Sequence, residues 1–128
     1  MSNVYPFMSY KDAPAAIEFL CNAFGFEKKA VFANEDGSIA HAELNLGSGI
    51  VMLGTEKHSD LKLRSPNGLG FVTQGVYIAI EDTDGHFARA KAAGAQVVME
   101  PTDQDYGSRD YSVRDPEGHL WSFGTYKP

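Results

Sequence analysis

His41, Glu43 and Asn45 occupy every second position of a run whose alternate places are filled by Ala40, Ala42, Leu44 and Leu46. A two-residue period is that of a strand with one buried face, so the imidazole, the carboxylate and the amide share the other face. Asp110, Ser112 and Arg114 alternate in the same way with Tyr111 and Val113. Imidazole beside carboxylate suits general acid-base chemistry, with Glu43 as base and His41 orienting it or acting as acid. A plainer role fits the same residues. They can be solvated on an open sheet face or paired with one another, Arg114 with Glu43 or Asp110. As groups that contact a small ligand they need no catalytic role. The chain contains no phosphate-cradling glycine loop and no Ser-His-Asp arrangement.

The elements that position these residues come twice. Residues 109–126 read as strand, turn and strand, with Asp115-Pro116-Glu117-Gly118 as the turn, and residues 42–53 are a fainter copy around Gly47-Ser48-Gly49. Upstream of the first copy, residues 4–10 read as a strand and Asp12 as the N-cap of a helix. That helix has its stripe at Ala16, Ile17, Leu20, Ala23 and Phe24, and Gly25 ends it. Strands at 28–33 and 39–46 flank an Asn34-Glu35-Asp36-Gly37 turn. Upstream of the second copy come a strand at 75–80, Asp82 and Asp84 as competing caps, and a helix with Phe87, Ala90 and Ala93 inward, ended by Gly94. A strand at 96–99 and a loop at 101–107 follow. The steps from Asp12 to Asp82, from Gly25 to Gly94 and from Gly49 to Gly118 agree to within a single position, so caps, helix ends and turns repeat with one spacing. The expectation is an α+β fold of paired βαβββ modules, packed by their helices on one side and curled into an open, incomplete barrel around a concave cleft on the other. The first module covers positions 1–55, a polar connector 56–73, and the second module 74–128.

Composition narrows the partners. A chain of 128 residues with 43% hydrophobic content suits one compact domain. A net charge of −6 offers no basic face for nucleic acid. No apolar run is long enough to span a membrane, and the N-terminus lacks the order of a signal peptide, so the expected location is cytoplasmic. The single Cys21 falls inside the first helix and reads as a buried, inert thiol. His58 and His86 read as surface histidines and Trp121 as core.

Four stretches together resemble the vicinal oxygen chelate superfamily, the glyoxalase, bleomycin-resistance and extradiol-dioxygenase group. They are residues 12–25, His41-Ala42-Glu43-Leu44, Ala90-Lys91-Ala92-Ala93-Gly94-Ala95, and Tyr106-Gly107-Ser108-Arg109 followed by residues 114–119. The resemblance implies a divalent metal held by His, Gln or Glu at paired positions of each module. Carried onto this chain, those positions are Tyr5, Leu53, Gly75 and Ser122, which form no ligand set for such an ion. His119, three residues before Ser122, is expected on the helix-covered face. No metal or other cofactor is therefore expected. Tyr5, Phe7 and Tyr77 share the strand parity of the vacant positions and either wall the cleft or fill space between the modules.

The ligand-contacting set is then Tyr5, Phe7, His41, Glu43, Asn45, Tyr77, Asp110, Ser112, Arg114 and Ser122. The resemblance points to metal-independent sequestration of a small organic ligand, cationic or antibiotic-like, by a homodimer. The competing expectation is a glyoxalase-like lyase or isomerase, or a dioxygenase-type enzyme, with His41 and Glu43 in the active cleft. A third is a partner-binding subunit without small-molecule activity.

Overall fold

The computed structural model describes residues 3–128, so the first two residues assigned to the first module fall outside it. The first unit consists of β1 (Phe7–Tyr10), α1 (Ala13–Phe24), β2 (Glu27–Ala33), β3 (Ile39–Leu46) and β4 (Gly49–Thr55). The second consists of β5 (Gly75–Ala79), α2 (Thr83–Ala92), β6 (Gln96–Asp103), β7 (Arg109–Arg114) and β8 (Leu120–Gly124). Their sheets have the orders β1-β4-β3-β2 and β5-β8-β7-β6, each with one parallel pair, β1 with β4 and β5 with β8. No ladder joins one sheet to the other among the described residues. The architecture is α+β, two βαβββ units forming an open rather than a closed barrel.

The helix starts follow their capping carboxylates. Asp12 accepts from the Ala15 amide at 3.1 Å, and Asp82 from that of Gly85 at 3.0 Å. Asp82 therefore wins the cap and Asp84 falls in the first turn. Helix α1 buries Ala13, Ala16, Ile17, Leu20, Ala23 and Phe24, the expected stripe with one residue added. Helix α2 is less apolar: Ala90 is buried and Phe87 half-buried, whereas Ala93 is the exposed C-cap and not a core residue.

Three further expectations need correcting. Strand β1 begins at Phe7, not at residue 4. Strand β6 continues through Pro101 to Asp103, a position tolerated because β6 is an edge strand with an irregularity between Met99 and Thr102. In β3, Ile39 rather than Ala40 is buried, because the pairing slips between Phe32 and Ala33. Three hairpins share one turn geometry, in which Asn34, Gln104 and Asp115 each accept from a glycine amide three residues on. Gly118, at φ +99°, shows why the last turn needs glycine.

The two units are joined by polar side chains that end at buried backbone. Asp115, 3% exposed, accepts from Tyr10 Oη at 2.6 Å and Trp121 Nε1 at 3.0 Å on one oxygen, and from the amides of Glu117 and His119 on the other. Glu117 accepts from the amides of Lys11 and Asp12 at 2.6 and 2.8 Å and from Ser65 Oγ at 2.5 Å. The turn of the second unit thus holds the start of α1 and the connector. At the other end of α1, Arg89 donates to the carbonyls of Asn22 and Cys21, and His86 Nε2 donates to that of Phe24 at 2.8 Å. A cation at a helix C-terminus is also favoured by the helix dipole. Between these clamps the Phe24 ring lies 5.5 Å from Trp121 and 4.8 Å from Phe123.

His86 is therefore half-buried in the seam, not a surface histidine. Its Nε2 faces a carbonyl, so Nδ1 is the acceptor, and the Tyr111 hydroxyl donates to it at 2.5 Å. Burial pushes the imidazole pKa below its ordinary 6.5 and the phenols of Tyr10 and Tyr111 above theirs.

Two outcomes follow. Asp115→Asn keeps the shape but turns an amide N–H2 toward donors, and should lower unfolding free energy by about 2–3 kcal/mol, read as a lower urea midpoint at constant slope. His86 binds a proton more weakly folded than unfolded, so its contribution is present above pH 6.5 and lost as pH falls from there through the depressed folded value. Unfolding free energies at several pH values should show that acid-side decline in the native sequence and a shallower one in His86→Gln. Equal slopes would exclude His86 as its source.

Candidate functional site

The open faces of the two sheets carry matching rows. In the first, Phe7, Met52, Glu43 and Ala30 are neighbours across four strands. In the second, Tyr77, Ser122, Ser112 and Met99 hold the same places, one repeat later. One row along, Asn45 corresponds to Arg114 and Glu27 to Gln96. The counterpart of Ser122 is thus Met52. Leu53 was expected on the open face, but it is 3% exposed and faces the helices; the spacing from turn glycine to strand differs by one residue between the units. With that correction the positions at issue are Tyr5, Met52, Gly75 and Ser122. A phenol, a thioether, a bare backbone and a hydroxyl do not fit a divalent metal of the kind the family holds there. Among the described residues no three His, Cys, Asp or Glu side chains gather as a ligand set.

His41 and Glu43 do meet, with Nε2 and Oε2 3.0 Å apart, both side chains partly open to solvent. Phe32, 59% exposed, stacks on the imidazole at 6.3 Å. Ser112 and Ser122 share a hydrogen bond of 2.7 Å on the other sheet. Asp110 is 8% exposed and accepts from the Ser108 hydroxyl and from Tyr106 Oη at 2.8 Å. Gly124 makes this possible, since a Cβ there would land on the Asp110 carboxylate and crowd Tyr77 Oη. Tyr77 donates to the Tyr126 carbonyl at 2.8 Å. Asp110 therefore holds Tyr106 and Ser108 of the loop before β7, Ser108 Oγ in turn accepts from the Tyr126 amide at 3.1 Å, and Asp110 raises the pKa of Tyr106 by hydrogen bond and by charge. Arg114 pairs with neither Glu43 nor Asp110; its Nη1 donates to the Gly118 carbonyl at 3.2 Å. Arg109 forms its salt bridges with Asp84 and Asp103, each at 3.0 Å.

Three cavities border these faces. The largest, about 390 Å3, lies in the gap between edge strands β1 and β5. Tyr5, Phe7 and Met8 form one side, Gly75, Leu120 and Trp121 another, and Leu63, Leu69 and Phe71 of the connector a third. Gln74 and His119 supply polar groups, His119 donating from Nε2 to the Ser9 carbonyl at 2.9 Å. A second, about 220 Å3, is bounded by Phe7, His41, Met52 and by Lys57, Ser59, Leu61 and Leu63. A third, about 270 Å3, is bounded by Gln96, Arg114 and the turns around Gly68 and Gly118.

The structure thus brings Tyr5 and Phe7 together in the main cavity and Phe7 and His41 in the second, and it sets Arg114 in the third. Glu43, Asn45, Tyr77, Asp110, Ser112 and Ser122 stand on the open faces outside all three. Sequence reading missed the connector wall. Its signal was there: Leu63, Leu69, Phe71 and Val72 are apolar side chains in a stretch otherwise polar. Cys21 is half-buried, and its thiol pKa is raised by burial, which suppresses the thiolate.

One titration checks the Asp110 network. In Asp110→Asn, absorbance titration of the tyrosines should show one ionisation moved to lower pH, as Tyr106 loses the carboxylate that stabilises its protonated form. An unchanged curve would mean that Tyr106 does not hold that bond in solution.

Comparison with known proteins agrees with this geometry. The profile of the Glyoxalase/Bleomycin resistance protein/Dioxygenase superfamily matches residues 5–123, and the chain belongs to that superfamily. TioX from Micromonospora sp. ML1 is 35% identical, with a TM-score of 0.80 over 99% of this chain and 100% of that one. An uncharacterized protein of Mycobacterium bovis, Mb0911c, is 35% identical over 121 residues, 93% of this chain and 80% of its own. A superfamily member from Sphaerobacter thermophilus, 21% identical with a TM-score of 0.71 over 97% of both chains, is alike in fold. No helix among the described residues is long and apolar enough to cross a membrane.

Proposed function

We propose that this member of the glyoxalase, bleomycin-resistance and dioxygenase superfamily binds a small organic, antibiotic-like ligand without a metal, as a cytoplasmic homodimer, and protects by sequestering it. The observation that carries the reading is the main cavity. Two of the positions the superfamily uses for a metal, Tyr5 and Gly75, border it, and its remaining walls are mostly apolar and aromatic, the setting for a flat or amphipathic molecule. Its volume of about 390 Å3 lies in the range of small-molecule sites. Glu43 on the open face, outside the cavity, and the net charge of −6 favour a cationic ligand over an anionic one, against Arg64, which borders the cavity.

Dimerisation would complete the site. The open faces leave Phe7 54%, Phe32 59% and Tyr77 38% exposed, and none of the three cavities joins Glu43 or His41 to Ser112 or Ser122. A partner's sheet laid over each face would bury this apolar surface. The second reading, an enzyme, rests on the His41–Glu43 contact, with Glu43 as base.

Light scattering on the eluted protein should report twice the 14.0 kDa chain mass. Protein purified without chelator or metal resin should contain substoichiometric metal and gain no thermal stability from nickel, zinc, manganese or iron(II). A panel of amphipathic and cationic compounds should yield at least one that quenches Trp121 saturably without turnover, with affinity lowered about tenfold or more in Phe7→Ala and Phe71→Ala. Turnover that disappears in folded Glu43→Gln would replace sequestration with the enzyme reading. Silence of both fluorescence and calorimetry across the panel would remove the ligand proposal.

A further inference from the structure

Of the 11 lysines and arginines, only Arg109 and Arg114 are half-buried. Arg109 is neutralised by Asp84 and Asp103. Arg114 has no ion pair among the described residues, although the chain carries 17 acidic residues. Its one described hydrogen bond goes to the neutral Gly118 carbonyl, and most of its N–H donors are left to the third cavity. Withdrawing a guanidinium from bulk water without a counter-charge is unfavourable, and the planar fork matches a carboxylate in bidentate geometry.

We propose that the cavity of about 270 Å3 between Arg114, Gln96 and the turns around Gly68 and Gly118 is a binding site for the carboxylate of a small organic acid. Gln96 lies opposite Arg114 in the β6–β7 ladder and supplies a second donor. The loop residues Pro66 and Phe71 separate this cavity from the apolar one and border both. Asp115 and Glu117 also border the site, but their oxygens are taken by the seam donors described above and form no ion pair with Arg114. Their charge disfavours a dianion more than a monoanion, so a carboxylate should bind better than hydrogen phosphate. This site is independent of the sequestration reading.

The test is an NMR titration of the Arg114 Nε–Hε resonance at low ionic strength, with benzoate and inorganic phosphate as probes. Benzoate should shift the resonance saturably and bind more tightly than phosphate. Arg114→Lys, which keeps the charge but loses the fork, should bind at least tenfold more weakly. Gln96→Glu puts an internal carboxylate against the guanidinium on an exposed edge strand and should abolish binding with the core untouched; it decides the matter should Arg114→Lys fail to fold. A stationary Arg114 resonance, tighter binding of phosphate, or Gln96→Glu binding benzoate as the native protein does would each overturn the assignment.

Discussion

The structure depends on two carboxylates that have been taken out of water and given donors from both halves of the chain. Asp115 and Glu117 stand two residues apart on one turn, and between them they hold Tyr10, Trp121, Ser65 and the amides of Lys11, Asp12, Glu117 and His119. A buried carboxylate is tolerable only when such partners are in place. The turn can therefore form in one arrangement only, with β1 and the start of α1 beside it. That arrangement sets the gap between the edge strands, and with it the main cavity. Ser65 ties the connector to the same point, so the cavity's third wall hangs from Glu117.

The duplication shows how far one architecture constrains chemistry. Both units have the same sheet order, the same turn geometry and an aspartate cap at the same place in the repeat, Asp12 and Asp82. Their helix-facing positions are apolar in both. Their open faces are not alike: Glu43 is matched by Ser112, Asn45 by Arg114, Met52 by Ser122, and His41 by the buried Asp110. Packing against a helix restricts a residue to shapes that fill the space, whereas an open face restricts it hardly at all. Membership of the superfamily accounts for the helix-facing half of each strand; the ligand would be chosen by the other half.

Much of the fold was legible along the chain because the deciding interactions are local. Asp12 and Asp82 cap amides three residues away, Gly118 closes its own turn, and a two-residue or 3.6-residue period declares which face is buried. The errors arose where distant parts of the chain meet. His86 looked like a surface residue of a helix's first turn until α1 placed the Phe24 carbonyl against it. Leu53 looked like the counterpart of Ser122 because a one-residue difference between the units is invisible to spacing, and in a strand one residue changes the face.

The sequence by itself determined the two βαβββ units, their caps and turns, and which side of each strand is apolar, since these follow from neighbours within a few residues. Only the tertiary structure decided how the units are set against one another. It placed the connector's leucines and Phe71 as a cavity wall, committed the Asp110 carboxylate to Tyr106 and Ser108, and left Arg114 without a counter-ion among the described residues. Each of these is a question of which groups compete for one donor or one volume. That competition is settled between residues tens of positions apart, where the order of side chains along the chain carries no distance.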